Sequence, residues 1–104
     1  MDFSPSVGRE IRHEHPALVV STDFLNQSPF GVLVVIPISS SSPSLRIHVD
    51  IPAGEAGLRK PGRIKCDQIG KVDVRRFRPG GRIGAVTAET LLKVESVLRL
   101  LLEL

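Results

Sequence analysis

A chain of 104 residues, 41% hydrophobic and 24% charged, is long enough for one buried core and too short for two, so a single domain over residues 1–104 is expected. No apolar run approaches the ~18 residues of a membrane span, no secretory signal is visible in residues 1–5, and Cys66 is alone, so no intrachain disulfide is expected and the expected setting is cytoplasmic, away from membranes. The net charge of +3 is unevenly placed: residues 59–82 hold nine Lys and Arg against only Asp67 and Asp73, a local +7, while residues 1–58 come to −3 and residues 83–104 to −1. Such a stretch is either a polyanion-binding footprint or a solvated basic face.

In chain order, residues 16–21 form a short β-branched run and residues 31–38 a longer one, and both predict buried strands. The polar, turn-rich residues 22–29 separate them. The four serines 39–42, followed by Pro43, predict a loop. Leu45, Ile47, Val49 and Ile51 alternate with Arg46, His48 and Asp50, the period of a strand with one buried and one wet face. Residues 52–62, rich in Gly and Pro, predict a loop. Ile64, Cys66, Ile69, Val72 and Val74 predict a further strand, bent near Gln68, with Cys66 as a small core residue. The period then changes. Leu91, Val94, Leu98 and Leu101, with Val97 and Leu102 beside them, predict a helix from about Ala88 to Leu102, with Thr87 as N-cap, Glu89 in the first turn and Val86 and Leu91 at the spacing of a hydrophobic staple. Short strands followed by one terminal helix indicate a small barrel-like α+β domain.

Four blocks carry a resemblance. Residues 2–10 (Asp-Phe-Ser-Pro-Ser-Val-Gly-Arg-Glu) with residues 15–21 (His-Pro-Ala-Leu-Val-Val-Ser), then residues 34–40 (Val-Val-Ile-Pro-Ile-Ser-Ser), then residues 66–73 (Cys-Asp-Gln-Ile-Gly-Lys-Val-Asp), and finally Ile83-Gly84 with Thr87, Leu91 and Val94 follow the order of motifs in MazF/PemK toxins. The chain resembles that family over nearly its whole length. The resemblance implies an SH3-like β-barrel of the CcdB/MazF type with a C-terminal α-helix and a homodimer. It also implies cleavage of single-stranded RNA at short motifs without metal or cofactor, and a cognate antitoxin whose disordered segment occupies the RNA groove. Met1 stands where the family's first strand ends, so the expectation is either that the start has been assigned late or that the first strand is missing. The family's Arg before Pro, to which catalysis is attributed, is His15 here, and its partner Thr is Ser39. In relatives of the Kid type a His, an Arg and an Asp carry the reaction; the matching positions are Arg9, Lys65 and Asp67.

Metal-free RNA cleavage needs a proton acceptor at the 2′-hydroxyl, a proton donor at the departing 5′-oxygen and positive charge near the phosphate. His15, Glu10 and Asp67 can exchange protons, and an imidazole does so near neutrality as an Arg does not. Ser39 and Lys65 are the expected phosphate ligands, with Glu10 or Asp67 as an orienting group or second base. Arg9, Arg12, Ser40, Arg75, Arg76 and Arg78 are the expected RNA contacts. The plainer readings are a solvated loop for His13 and His15, and an ordinary cross-strand charge pair for Lys65 and Asp67. With only Phe3, Phe24, Phe30 and Phe77 as aromatics, recognition must lean on phosphate and backbone contacts more than on stacking. Two other functions fit the same fold: a gyrase poison resembling CcdB, and a degenerate member that only binds antitoxin.

Overall fold

The longest apolar run becomes the strand on which the others assemble. In the computed structural model, which describes residues 6–10, 16–39 and 46–104, with backbone alone for Ser6, Arg9, Glu10 and residues 78–82, that strand is β3 (Val32–Ser39). One edge of β3 pairs with β2 (Pro16–Val19), which pairs in turn with β1 (Ser6–Glu10), and β1 with β7 (Phe77–Ala85), all antiparallel. Its other edge takes β5 (Gly62–Lys65) at one end and β6 (Gly70–Asp73) at the other. The register Ile38↔Ile64 gives way to Val35↔Gly70, so the partner chain gains three residues on β3, and these are the 3-10 turn Cys66–Gln68. The bend expected near Gln68 is therefore an excursion out of the ladder, of the kind that re-aims side chains beside functional sites. The last strand, β4 (His48–Ile51), lies on the far side of β5.

The sheet order is β4-β5-β3-β2-β1-β7, with β6 also on β3. The α+β class, with an antiparallel sheet and a terminal helix, is as expected; among the described residues the strand path has two ends, β4 and β7, and no ladder joins them. One face is sealed by Val7, Leu18, Ile36, Ile64 and Cys66, all 0% exposed, against Val94 of α2 (Ala88–Leu102), also 0% exposed. The helix forms as expected. Thr87 caps it, its Oγ1 accepting from the backbone N–H of Thr90 at 3.2 Å, and Glu55 Oε2 accepts from the Thr87 N–H at 3.1 Å, adding a negative charge at the positive end of the helix dipole. The apolar stripe is wider than the sheet covers: Val97 and Leu98 pack on the core, while Leu92, Leu100, Leu102 and Leu104 remain exposed.

Several elements were not expected, strand β1 and a 3-10 turn at Val74–Arg76 among them. The turn-rich residues 22–29 contain a one-turn helix, α1 (Asp23–Asn26), tied to β3 through Ser21, whose Oγ accepts from Val34 N–H at 3.0 Å and whose carbonyl accepts from Asn26 Nδ2 at 3.1 Å. The loop of residues 52–62 contains a 3-10 turn, Glu55–Gly57. Strand β7 runs through Pro79, Gly80, Gly81 and Gly84, a composition that argues against a strand and is overridden by pairing with β1. Gly84 has a specific reason to be glycine: a Cβ there would sit 2.6 Å from the carbonyl carbon of Ala56, and at Gly57, where φ is +76°, a Cβ would drive into the carbonyl oxygen of Ile83. The two glycines let β7 and the 3-10 turn touch backbone to backbone.

Candidate functional site

Pairing register builds the site. On β3, Ser39 lies opposite Arg63 of β5, and Arg63 lies opposite Asp50 of β4. Two residues further along β5, Lys65 lies opposite His48. Residues directly opposite in a ladder share a face, as do residues two apart along a strand. Ser39, Arg63, Asp50, Lys65 and His48 therefore stand on one face, with opposite partners roughly 5 Å apart and Ser39 and Lys65 diagonal neighbours at roughly 7–8 Å. Ile38, Ile64, Val49 and Ile51 are on the other face, buried.

A second acid, besides Asp50, reaches this platform by the 3-10 turn. Because Cys66–Gln68 leave the ladder, Cys66 turns into the core at 0% exposure and Asp67 turns out. Burial, with the nearby Asp67 charge, raises the Cys66 thiol from 9.0 to about 11. It is thus a neutral packing residue at physiological pH, as expected, and no nucleophile. Asp67 Oδ1 meets His48 Nε2 at 3.1 Å, the Asp67 side chain 37% exposed and the His48 side chain only 5%. This corrects one expectation: alternation assigned His48 to the wet face, and it shares that face with Asp50, yet its ring is covered. Arg63 Nε is 3.4 Å from Asp50 Oδ1.

Of the residues expected to act on RNA, the structure brings Ser39, Lys65 and Asp67 to this platform. His15, Arg12 and Ser40 lie outside the described residues, and the side chains of Arg9, Glu10 and Arg78 are outside them as well. Arg75 and Arg76 are elsewhere, in a 3-10 turn (Val74–Arg76) after β6, at the opposite end of β3. There the Arg75 guanidinium donates to both Asp73 oxygens, from Nε at 3.0 Å and from Nη2 at 2.8 Å. Side-chain and backbone hydrogen bonds from Arg75 hold the Asp73 carboxyl down at about 2. Among the described residues, Arg63 and Arg75 are cations of the basic stretch with acids beside them. His48, Arg63 and Asp50 join the platform without having been singled out as site residues; their signal is the register of β4 on β5, which no single segment contains. Among the described residues, no three His, Cys, Asp or Glu converge as a metal-ligand set.

Comparisons with known proteins bear on what such a platform serves. A family model described as PemK-like, MazF-like toxin of type II toxin-antitoxin systems matches residues 1–102. Endoribonuclease MazF9 of Mycobacterium tuberculosis is 31% identical over 110 residues, spanning 100% of this chain and 91% of that protein. Among solved structures, MazE-MazF (Form-III) from Deinococcus radiodurans superposes with a TM-score of 0.81 at 24% identity, over 98% of this chain and 96% of that one. An endoribonuclease in complex with its cognate antitoxin from Mycobacterial species gives 0.80 at 20% identity, over 100% and 97%. At these identities the solved structures support the fold.

Proposed function

Given that the chain belongs to the PemK-like, MazF-like family of type II toxins, we propose that it is an endoribonuclease toxin that cleaves single-stranded RNA at short motifs without a metal ion and is neutralised by a cognate antitoxin. The observation that carries this reading is the convergence of Ser39, Lys65 and Asp67, from β3, β5 and the excursion between β5 and β6, on one face. In the proposed reaction Asp67 takes the proton of the 2′-hydroxyl. The freed oxygen attacks the adjacent phosphorus, and the 5′-oxygen departs with a proton from His15, which precedes Pro16 where relatives carry Arg. Lys65 and Ser39 bind the phosphate oxygens, and the positive charge offsets the charge that accumulates there. Glu10 is the second candidate for orienting or accepting.

The partners follow the same reading. A homodimer is supported by Leu92, Leu100, Leu102 and Leu104, apolar residues of the helix and its end that this chain alone leaves exposed. An antitoxin is supported by the relatives solved in complex with theirs. No helix among the described residues is long and apolar enough to cross a membrane.

The test is cleavage of a single-stranded RNA in the presence of a chelator, beside the same RNA with hydrogen replacing the 2′-hydroxyl at the cleaved position. The first should be cut and the second inert. Asp67→Asn should cost roughly 10²–10⁴ in rate, the usual worth of a positioned base. Cutting of the deoxy analogue, or full activity of Asp67→Asn, would discard this mechanism.

A further inference from the structure

His48 is a buried polar side chain that the proposed reaction leaves unused. Its ring is 5% exposed, its Nε2 is bonded to Asp67 Oδ1, and its Nδ1 is buried without a hydrogen-bond partner among the described residues. Burying an imidazole with one nitrogen unpaired is unfavourable, and an apolar side chain would fill the same space without that penalty. The surroundings narrow what the ring does. Lys65 lies opposite it on β5, and a hollow between β4 and α2 is lined by His48, Asp50, Lys93 and Ser96, with Lys93 Nζ 3.5 Å from Glu89 Oε1 on its own helix. Among the described residues, the one group His48 bonds is Asp67.

An ionised carboxylate accepts hydrogen bonds and donates none, so the proton of this bond belongs to His48 Nε2. Only Oδ1 of Asp67 is engaged among the described residues, and Asp67 is the more exposed of the two, at 37%. The ring is therefore on the inside and the carboxylate on the outside, with Oδ2 available. We propose that His48 is a positioning residue for RNA cleavage: donating from Nε2 to Oδ1, it fixes Asp67 so that Oδ2 meets the 2′-hydroxyl. This deepens the ribonuclease reading and rests on it. In the step, the 2′-O–H bond breaks and its proton goes to Oδ2. The oxygen's electron pair forms a new bond to phosphorus, and the phosphorus–O5′ bond breaks, its pair leaving on O5′, which is protonated by the donor at that side. Oδ1 remains an acceptor throughout, so the His48 bond survives the transfer and the carboxyl needs no reorientation at the moment of reaction. His48 touches no reacting atom.

The experiment uses the full chain and compares His48→Gln with His48→Asn. A Gln amide can place its N–H close to where Nε2 lies; an Asn amide is too short to reach Oδ1. Asn should lower kcat on a single-stranded RNA by about 10-fold to 10²-fold, the scale of a misplaced catalytic group, with KM unchanged, while Gln retains most of kcat. In the Asp67→Asn background, His48→Asn should bring no further loss. Equal kcat in wild type and His48→Asn, equal losses in Gln and Asn, or multiplying losses in the double variant would each overturn the positioning role while leaving Asp67 as base intact. Full activity of Asp67→Asn alone would instead bring down the base, and with it the role given to His48. Should either His48 variant fail to fold, the Gln and Asn variants made in the Asp67→Asn background supply the folding comparison, and loss of folding in both backgrounds would assign His48 to the core and overturn the proposal.

Discussion

The two ends of β3 carry cations from the same basic stretch and treat them differently. At the end near Ser39, Arg63 stands beside Asp50 of β4, and Asp67 of the 3-10 excursion bonds His48 of the same strand, which lies opposite Lys65; both pairs join residues far apart in the chain. At the other end Arg75 is 88% exposed and closes on Asp73, its neighbour two positions back. The first arrangement is made by tertiary structure and exists only when the sheet is assembled; the second is a local turn with Asp73 as its cap. A local net charge of +7 therefore overstates the surface available to phosphates. Register, not charge density, decides which cations can act together.

The sharpest way to break this comparison is to remove one cation from each end. Lys65→Ala should lower kcat for RNA cleavage by up to about 10²-fold, the usual worth of one preorganised charge at a developing anion. It should also flatten the dependence of log affinity on log salt by about 0.7, one phosphate contact on a single strand. Arg75→Ala, whose guanidinium already serves Asp73, should leave both nearly unchanged. Kinetics and filter binding across a salt series decide it. Equal effects at the two positions would mean that the RNA runs the length of β3, and replacing Arg75, Arg76 and Arg78 together would then flatten the slope further.

What was legible beforehand divides along the same line. The helix α2 was expected at its observed bounds with its observed cap, because amphipathic period and capping are local properties of residues 87–102. Strands β2 and β3 were visible as apolar runs for the same reason. Strand β7 was not, since Pro79, Gly80 and Gly81 have poor strand propensity and β1 supplies the pairing from some 70 positions away in the chain. At the platform, Ser39 and Asp67 stood in recognisable blocks and Lys65 just before one, but that they share a face follows from Ser39↔Arg63 and His48↔Lys65. The covered state of His48 was hidden altogether: alternation assigns a face, and only the position of Asp67 shows that the face is closed there.

A second variant separates fold from chemistry. Gly84→Ala forces a methyl group against the Ala56 backbone, which a strand and a 3-10 turn in contact cannot yield without moving apart. Overpacking of this kind costs about 1–3 kcal/mol. The platform side chains stand on the face of β3, β5 and β4 away from the core that Ala56 joins, so kcat per folded molecule should stay at the wild-type value while denaturant midpoints fall. A proportionate loss of kcat would mean that β7 and the platform are mechanically one unit.

The smallest effect is expected at the exposed end, and its sign can be worked out. Asp73 has its carboxyl lowered from 3.8 to about 2, chiefly by the Arg75 side-chain hydrogen bonds and then by the Arg75 N–H. A carboxyl with a depressed folded-state value stabilises fully above its unfolded value and loses that contribution as pH falls through the folded one. The window is therefore 3.8 down to about 2. Across it the wild type should lose slightly more stability than Asp73→Asn, which has no charge to lose; at neutral pH the two should melt almost alike, because solvent screens an exposed pair. Thermal melts at the two ends of the window measure the difference, and parallel losses would show that the pair contributes nothing. The same variant tests the comparison from its other side. Asp73→Asn releases the Arg75 guanidinium, and if pairing is what keeps Arg75 from phosphates, the salt slope for single-stranded RNA should steepen by up to about 0.7, while kcat stays fixed by Lys65 and Asp67 at the far end of β3. An unchanged slope would mean that Arg75 is distant from the RNA whatever its partner, which places the whole binding path on the Ser39 side.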